Sequence, residues 1–465
     1  MPSRIAPPPR AAASACALLA LALLLSACAT PTARSSLTAS HPRSAVQAAV
    51  RALVTAGGAP GAAALAREGG EVRFAAAGVS DLRTDRRMRP GDRFRAGSVT
   101  KTLVATVVLQ LVGERRLSPA DPVERHLPGL VRGRGNDGRK ITLRQLLNHT
   151  SGLFNYTDDP GLRSELSGPG FRTHHLDTRT PGELLRTALR HPPYFPPGTG
   201  FHYSNTDYIL LGMIIERATG NPYAEEVKRR VLAPLGLRST TFPGNRTGLP
   251  PPHGRAYSTS TPATPKNTAP ARTAPKNTTS TPATPKNTTS APAAPKNTTP
   301  DRTAPNNTAK NATKDVTLLD PSSAGAAGEV ISTLADLTRF TSALLSGELL
   351  PRAQLEEMRN TAGTGGSYGL GLFPVHLPCG ETLWGHNGTI NGSYVQTLTT
   401  STGTHTLTYH LNTDTPPAKG PETRLLEAEF CRNPAPPEAN PAPPALEERG
   451  PGQSPDSHKP SPSGA

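Results

Sequence analysis

Three short polar motifs hold residue types that can do chemistry together. The first is Ser98-x-x-Lys101, the one Ser-x-x-Lys of the chain, within Gly97-Ser98-Val99-Thr100-Lys101. A Ser hydroxyl is a weak nucleophile until a base takes its proton. Residues three apart on a helix are neighbours, so a Lys one turn on can reach that hydroxyl. A Ser at a helix start also sits beside free backbone N–H groups, at the positive end of the dipole. That setting suits an attack that creates an oxyanion. The plainer reading of the same residues is an N-cap Ser followed by a solvated Lys. The other motifs are Tyr203-Ser204-Asn205, the only Tyr-x-Asn, and His386-Asn387-Gly388, the only His-x-Gly. Taken singly, a loop Tyr is usually a half-buried packing residue, and His-x-Gly is usually a turn.

The elements that must position these motifs follow from apolar spacing. Leu103, Val104, Val107, Val108 and Leu111 fall on one broad helical face behind Ser98. Ahead of it the pattern predicts a helix over 45–54, strands over 61–66 and 72–77 split by Gly69-Gly70, and strand-like Phe94-Arg95-Ala96. From Ser98 to about Leu237 the pattern is mostly helical. A helix starts from a Thr142 cap, 148–153 reads as a polar loop, and 181–189 is a helix with Pro in its first turn. The 208–218 helix is ended by Gly220-Asn221-Pro222. After Leu318 come a helix over 329–345, strands over 368–375, 382–385, 394–398 and 406–411 with turns between, and a closing helix over 423–430. The simplest architecture is α+β. Early and late strands join in one antiparallel sheet flanked by the terminal helices, and the helical block makes a second lobe. Ser98 falls where the chain passes from sheet to helical lobe, beside the cleft that is the default site.

In this order and on these elements, the three motifs resemble the penicillin-recognising serine hydrolases: class C-type beta-lactamases and D-alanyl-D-alanine carboxypeptidases. The runs 94–101, 145–153, 201–212 and Tyr368-Gly369-Leu370-Gly371-Leu372 look like segments of that family, and the likeness covers about residues 44–432. The resemblance implies a beta-lactamase/transpeptidase-like fold and an acyl-enzyme on Ser98. Lys101 and Tyr203 would share the base's task, either through a desolvated Lys101 of lowered proton affinity or through a Tyr203 phenolate beside it. Tyr203 would pass the proton to the leaving group, and Asn205 would bond Lys101 and the substrate amide. The backbone N–H groups of Ser98 and Thr389 would form the oxyanion hole. His386 would keep the far wall electropositive or polarise Tyr203, with Asn387, Gly388 and Phe373 on the substrate wall. One departure bears on the substrate. The closest carboxypeptidases carry Arg directly after the Tyr-Gly-Leu-Gly-Leu run, where it holds the substrate's terminal carboxylate; here Phe373-Pro374 follow. Losing that anchor favours a less charged leaving group. The function expected is a D-alanyl-D-alanine carboxypeptidase-like serine hydrolase acting on cell-wall peptides or beta-lactams. An esterase of the same family, or a sensor that acylates without turnover, is the alternative.

Composition bounds the rest. Pro (51) and Gly (43) make up about a fifth of the 465 residues, and the net charge is +15. Arg4 and Arg10 precede an apolar run, Cys16 to Leu25, too short for a permanent span. It ends in Leu25-Ser26-Ala27-Cys28, which looks like a bacterial lipobox that would lipidate Cys28; the other reading is an ordinary signal peptide. Either reading gives residues 1–28 as an export signal and 29–41 as a linker. The protein would then be exported from a bacterium, as an extracellular protein or as a lipoprotein held at the membrane surface. In an oxidising compartment Cys379 and Cys431 would form one disulfide, a pair that also matches a bridge of the secreted carboxypeptidase branch. Residues 258–314 interrupt the 42–432 domain with a ten-residue Pro-Lys-Asn-Thr repeat that has no apolar face to bury. Its lysines carry much of the excess charge. No basic, aromatic-interleaved patch points to nucleic acid, so a loose affinity for anionic wall polymers or lipid headgroups is expected. Residues 433–465 read as a disordered Pro-rich tail. No Cys/His cluster has zinc spacing, and no cofactor or metal is expected. The expected state is a monomer acting on a peptidoglycan peptide, a beta-lactam or a small ester.

Overall fold

The structure is a computed structural model that describes residues 42–259 and 313–431. The export signal with Cys28, the linker, nearly all of the repeat and the 433–465 tail lie outside the described residues.

Strand Gly61–Glu68 shows why the sheet is central. Its run Gly-Ala-Ala-Ala-Leu-Ala is buried on both faces. Ala62, Ala64 and Ala66 pack into one apolar core and Ala63 and Leu65 into another, as a two-residue side-chain period requires. Small side chains let helices approach on both sides. The strand is flanked by Glu71–Asp81 and His405–Leu411, both antiparallel. The full order is Phe373–His376, Thr382–Ile390, Ser393–Thr400, His405–Leu411, Gly61–Glu68, Glu71–Asp81 and Arg86–Arg87, so early and late strands do join in one seven-stranded sheet. Helices Pro42–Thr55 and Lys419–Phe430 supply the core on one face through Val50, Leu53, Leu425 and Leu426. The other face carries the larger core, which runs into the helical block. A disulfide joins Cys379, in the turn of the 373–390 hairpin, to Cys431 at the end of the last helix, with Cα atoms 6.0 Å apart.

Several boundaries differ from the pattern reading, each for a physical reason. Helix Val99–Gly113 does not have one apolar face. Twelve of its 15 residues are buried, so it is a central element packed all round. Burial of each of its large aliphatic side chains is worth about 1.5–3 kcal/mol. The expected 329–345 helix starts only at Leu334, where the Thr333 hydroxyl accepts the Asp336 N–H. Ile331–Ser332 instead pairs with Phe94–Arg95, and the Val330 carbonyl takes the Ala96 N–H. Tyr368–Leu372 is not strand. Gly369 N–H closes a turn onto the Leu372 carbonyl, and the Gly371 carbonyl accepts the Thr102 hydroxyl of the central helix at 2.7 Å. The 382–385 strand continues to Ile390, so His386-Asn387-Gly388 lies within a strand, not in a turn. The ends of the repeat are held in a small antiparallel pair, Tyr257–Thr259 with Thr313–Asp315.

Candidate active site

Ser98 precedes the central helix with φ −63° and ψ −8°, and its side chain caps nothing. The N-cap reading is therefore set aside, and the hydroxyl is left for other partners. Lys101, fully buried one turn on, places Nζ 3.1 Å from Ser98 Oγ, 2.7 Å from Asn205 Oδ1 and 2.7 Å from the Ala327 carbonyl. Two of these partners can only accept. An uncharged amine satisfies both with its two hydrogens and turns its lone pair to Ser98, whose O–H can donate. Burial acts in the same sense. It pushes the Lys101 ammonium well below its ordinary value, and only an ionised Asp207 would oppose it. Tyr203 is half-buried beside Ser98; desolvation raises its phenol above the ordinary value, with the Ser98 hydroxyl opposing. Of the two expected activation schemes, the geometry thus favours a neutral Lys101 beside a protonated Tyr203. The Tyr203 ring lies 4.8 Å from Lys101 Nζ.

Asn205 opens helix Asn205–Thr219, so its side chain faces the start of the Ser98 helix. Oδ1 serves Lys101 as expected, while Nδ2 donates to Thr157 Oγ at 3.3 Å.

The third motif forms the wall. Gly388 packs against the Ser98 turn so tightly that a Cβ there would lie 1.9 Å from the Ala96 carbonyl oxygen and 2.9 Å from Ser98 N. Gly97, at φ +50°, faces Thr389 N just as closely, at 2.8 Å from a Cβ built on it. Only glycine fits either side of this crossing. The crossing brings the Ser98 and Thr389 backbone nitrogens to one place, the pair expected for an oxyanion hole.

His386 corrects one expectation. Its Nε2 is 2.7 Å from the Tyr368 hydroxyl and its Nδ1 faces the Asn387 carbonyl. Burial pushes the imidazole down to about 3, against the bond to the Asn387 carbonyl. The wall is therefore uncharged at neutral pH, not electropositive. Both ring nitrogens are taken by partners other than Tyr203. The Asn387 side chain is not on the wall either. It lies on the opposite face of the strand from His386 and Gly388, as the two-residue alternation dictates. Phe373 does stand on the wall, 5.3 Å from the His386 ring and 6.3 Å from that of Tyr368.

Four residues at the site were not singled out from the sequence: Ala327, Tyr368, His149 and Asp207. The 148–153 stretch, read as a polar loop, is buried throughout. A run of His, Thr and Ser with Gly only at its end, against one Asp inside an apolar helix, was the available signal. Among the described residues no group of three or more His, Cys, Asp or Glu could hold a metal ion, and no helix is long and apolar enough to cross a membrane.

A half-buried Ser and Tyr around a buried Lys, on a sheet-plus-helical-lobe scaffold, define a class of serine hydrolase. The family model described as Beta-lactamase matches residues 46–431, and the chain belongs to that family. Among curated relatives, esterase EstB of Burkholderia gladioli is 38% identical over 193 residues, which is 39% of this chain and 47% of that protein. Penicillin-binding protein 4* of Bacillus subtilis (strain 168) is 31% identical over 177 residues, 38% of this chain and 36% of its own. The chain thus matches less than half the length of these relatives. Among solved structures, a D-stereospecific amidohydrolase from Streptomyces sp. is 41% identical, with a TM-score of 0.67 over 84% of this chain and 98% of its own. The D-amino acid amidase of Ochrobactrum anthropi SV3, complexed with D-phenylalanine, is 26% identical with a TM-score of 0.63, covering 83% and 98%.

Proposed function

We propose that this serine hydrolase cleaves amides and esters of D-amino acids with an uncharged leaving group, through an acyl-Ser98 intermediate. The observation that carries the chemistry is the three-partner seat of Lys101, which leaves its lone pair for the Ser98 hydroxyl. Ser98 Oγ attacks the carbonyl carbon as its proton passes to Lys101 Nζ. The oxyanion forms between the Ser98 and Thr389 N–H groups. Tyr203, held protonated, gives its proton to the departing nitrogen or oxygen and is reprotonated from Lys101. Water then enters, and the same groups run in reverse to release the acid.

The substrate class rests on the wall. Phe373, Tyr368 and a neutral His386 offer no cation to a terminal carboxylate, which argues against the carboxypeptidase reading. The likeness to a D-stereospecific amidohydrolase along nearly its whole length supports the D-amino-acyl amide. The experiment is a panel of D- and L-phenylalanine amide, a D-phenylalanine ester and a D-alanyl-D-alanine peptide. Turnover of the D-amide and D-ester above the other two is expected. A preference for the peptide would restore the carboxypeptidase reading. Adduct formation without turnover of any member would make the protein a sensor. Export, lipidation of Cys28 and a wall-polymer affinity for the repeat stay part of this proposal. They are tested by palmitate labelling of the wild-type protein and of Cys28→Ala.

A further inference from the structure

His149 is a buried imidazole that the acylation steps above do not use. Its backbone is left-handed, with φ +61°, a conformation that a residue with a Cβ adopts at a cost. The structure holds it there by bonds on both sides of Tyr203. His202 N–H donates to the His149 carbonyl at 3.0 Å, and Ser204 N–H donates to His149 Nδ1 at 3.3 Å. The imidazole also lies against the Tyr203 ring, centroid to centroid 4.3 Å. Nδ1 is 3.1 Å from Asp207 Oδ2, and Asp207 Oδ1 accepts the Ser151 hydroxyl at 2.5 Å. Asp207 stands two residues after Asn205 on the same helix. One buried couple therefore touches the segments that carry both Tyr203 and Asn205.

The fixed backbone donor at Ser204 favours one place for the proton. Nδ1 accepts from the Ser204 N–H, a fixed backbone donor, so it carries no hydrogen of its own; its one lone pair is shared with Asp207, and the ring hydrogen sits on Nε2, which has no partner among the described residues. The hydrogen between Nδ1 and Oδ2 then belongs to Asp207, as a carboxylic acid. The opposite assignment would set two N–H donors against each other in a dry interior.

We propose that His149 and Asp207 form an uncharged hydrogen-bonded couple that positions Tyr203 and Asn205 around Lys101, with the shared proton on Asp207. The inference rests on the acyl-Ser98 reading for its consequence, though not for the proton's place. An ionised Asp207 would act across the interior on Lys101 and favour its ammonium, which cannot take the Ser98 proton. The neutral couple holds the site without that charge. Other groups face the couple from the surrounding elements. Lys101, His386 and His202 are the basic groups nearest His149, and the rings of Tyr208, Tyr368 and Phe201 pack on it. Burial pushes the Asp207 acid well up and His149 well down, in the sense the hydrogen bonds require.

The test compares Asp207→Asn, Asp207→Ala and His149→Ala in acylation of Ser98 by a p-nitrophenyl ester across pH. The side-chain amide introduced by Asp207→Asn can donate to His149 Nδ1 and accept from Ser151. The Ala variants are expected to lose about 100-fold in kcat with little change in KM, the cost of a small misplacement. Asp207→Asn should recover most of that loss, with the acid limb of kcat/KM where the wild type has it. If the limb moves down by about a pH unit or more, the carboxylate was charged and the proposal is overturned. Nitrogen-15 NMR of the wild-type imidazoles decides the couple without any substrate. An unprotonated Nδ1 at His149, assigned by loss of the signal in His149→Ala, is expected; a protonated Nδ1 overturns it. If the wild type is not acylated at Ser98 at all, the hydrolase reading fails, while the NMR result still decides the proton's place.

Discussion

At the scale of single residues, the account turns on which group holds which proton. Lys101 is buried among two obligate acceptors and one hydroxyl, so it serves as a base only when neutral. Its lowered value predicts that kcat/KM falls as the pH drops through an acid limb well below the ordinary Lys value of 10.5. Tyr203 is held above its ordinary 10.0, so the alkaline limb should lie above pH 10. A pH–rate profile of ester hydrolysis reads both limbs. Phe373 sets the leaving group by the same reasoning. Phe373→Arg would supply a fork for a terminal carboxylate, worth about 1.5–3 kcal/mol. Hydrolysis of a D-alanyl-D-alanine peptide should rise by about tenfold or more in that variant, and D-amide hydrolysis should fall. Ser98, Lys101, Tyr203 and Asn205 could be found from the sequence because a short motif marks each one. His149 and Asp207 could not be, because their pairing depends on a left-handed turn and a helix 58 residues apart in the chain.

At the scale of elements, the site is a crossing of a helix start, a strand and a loop. The strand Thr382–Ile390 meets the Ser98 turn through Gly388, where an added methyl group would fall on the Ala96 carbonyl. Gly388→Ala should push Thr389 away from Ser98 and cost about 100- to 1,000-fold in kcat, as losing one oxyanion donor does. Thermal unfolding of the same variant should show about 1–3 kcal/mol of lost stability from overpacking. Most elements were legible in the apolar pattern. The exceptions were set by tertiary contacts. The Tyr-Gly-Leu-Gly-Leu run has strand-like apolar spacing, yet the central helix takes its Gly371 carbonyl and bends it into a turn. The stretch before Leu334 has a helical look, yet Phe94–Arg95 draws Ile331–Ser332 into a strand pair. His386-Asn387-Gly388 has turn composition, but Gly388 is needed for close approach, not for a bend.

At the scale of the whole molecule, the sheet that joins early and late strands makes one body of residues far apart in the chain. Cys379–Cys431 adds a covalent tie between the 373–390 hairpin and the last helix, across 52 residues. Its reduction should cost about 2–4 kcal/mol by freeing the unfolded chain. The bridge sits in the hairpin turn, at the end away from Phe373, so Ser98 acylation at room temperature should survive reduction. Buried histidines set the acid limit. His386 and His410 are each held neutral by burial, with values near 3 against 6.5 when unfolded. Below pH 6.5 the unfolded state binds protons that the folded state refuses. Stability should therefore be lost between about pH 6.5 and 3, at about 1.4 kcal/mol per unit for each imidazole. Denaturant titrations at stepped pH measure that slope.

The central claim is that Ser98 is the nucleophile of this site and Lys101 its base. Its most direct test is intact-mass analysis with peptide mapping after a D-phenylalanine p-nitrophenyl ester is mixed with the wild type, Ser98→Ala and Lys101→Ala. One acyl group on Ser98 is expected in the wild type, none in Ser98→Ala, and acylation slowed by about 10,000-fold in Lys101→Ala. An adduct on any other residue, or one that forms undiminished in Ser98→Ala, would contradict the account.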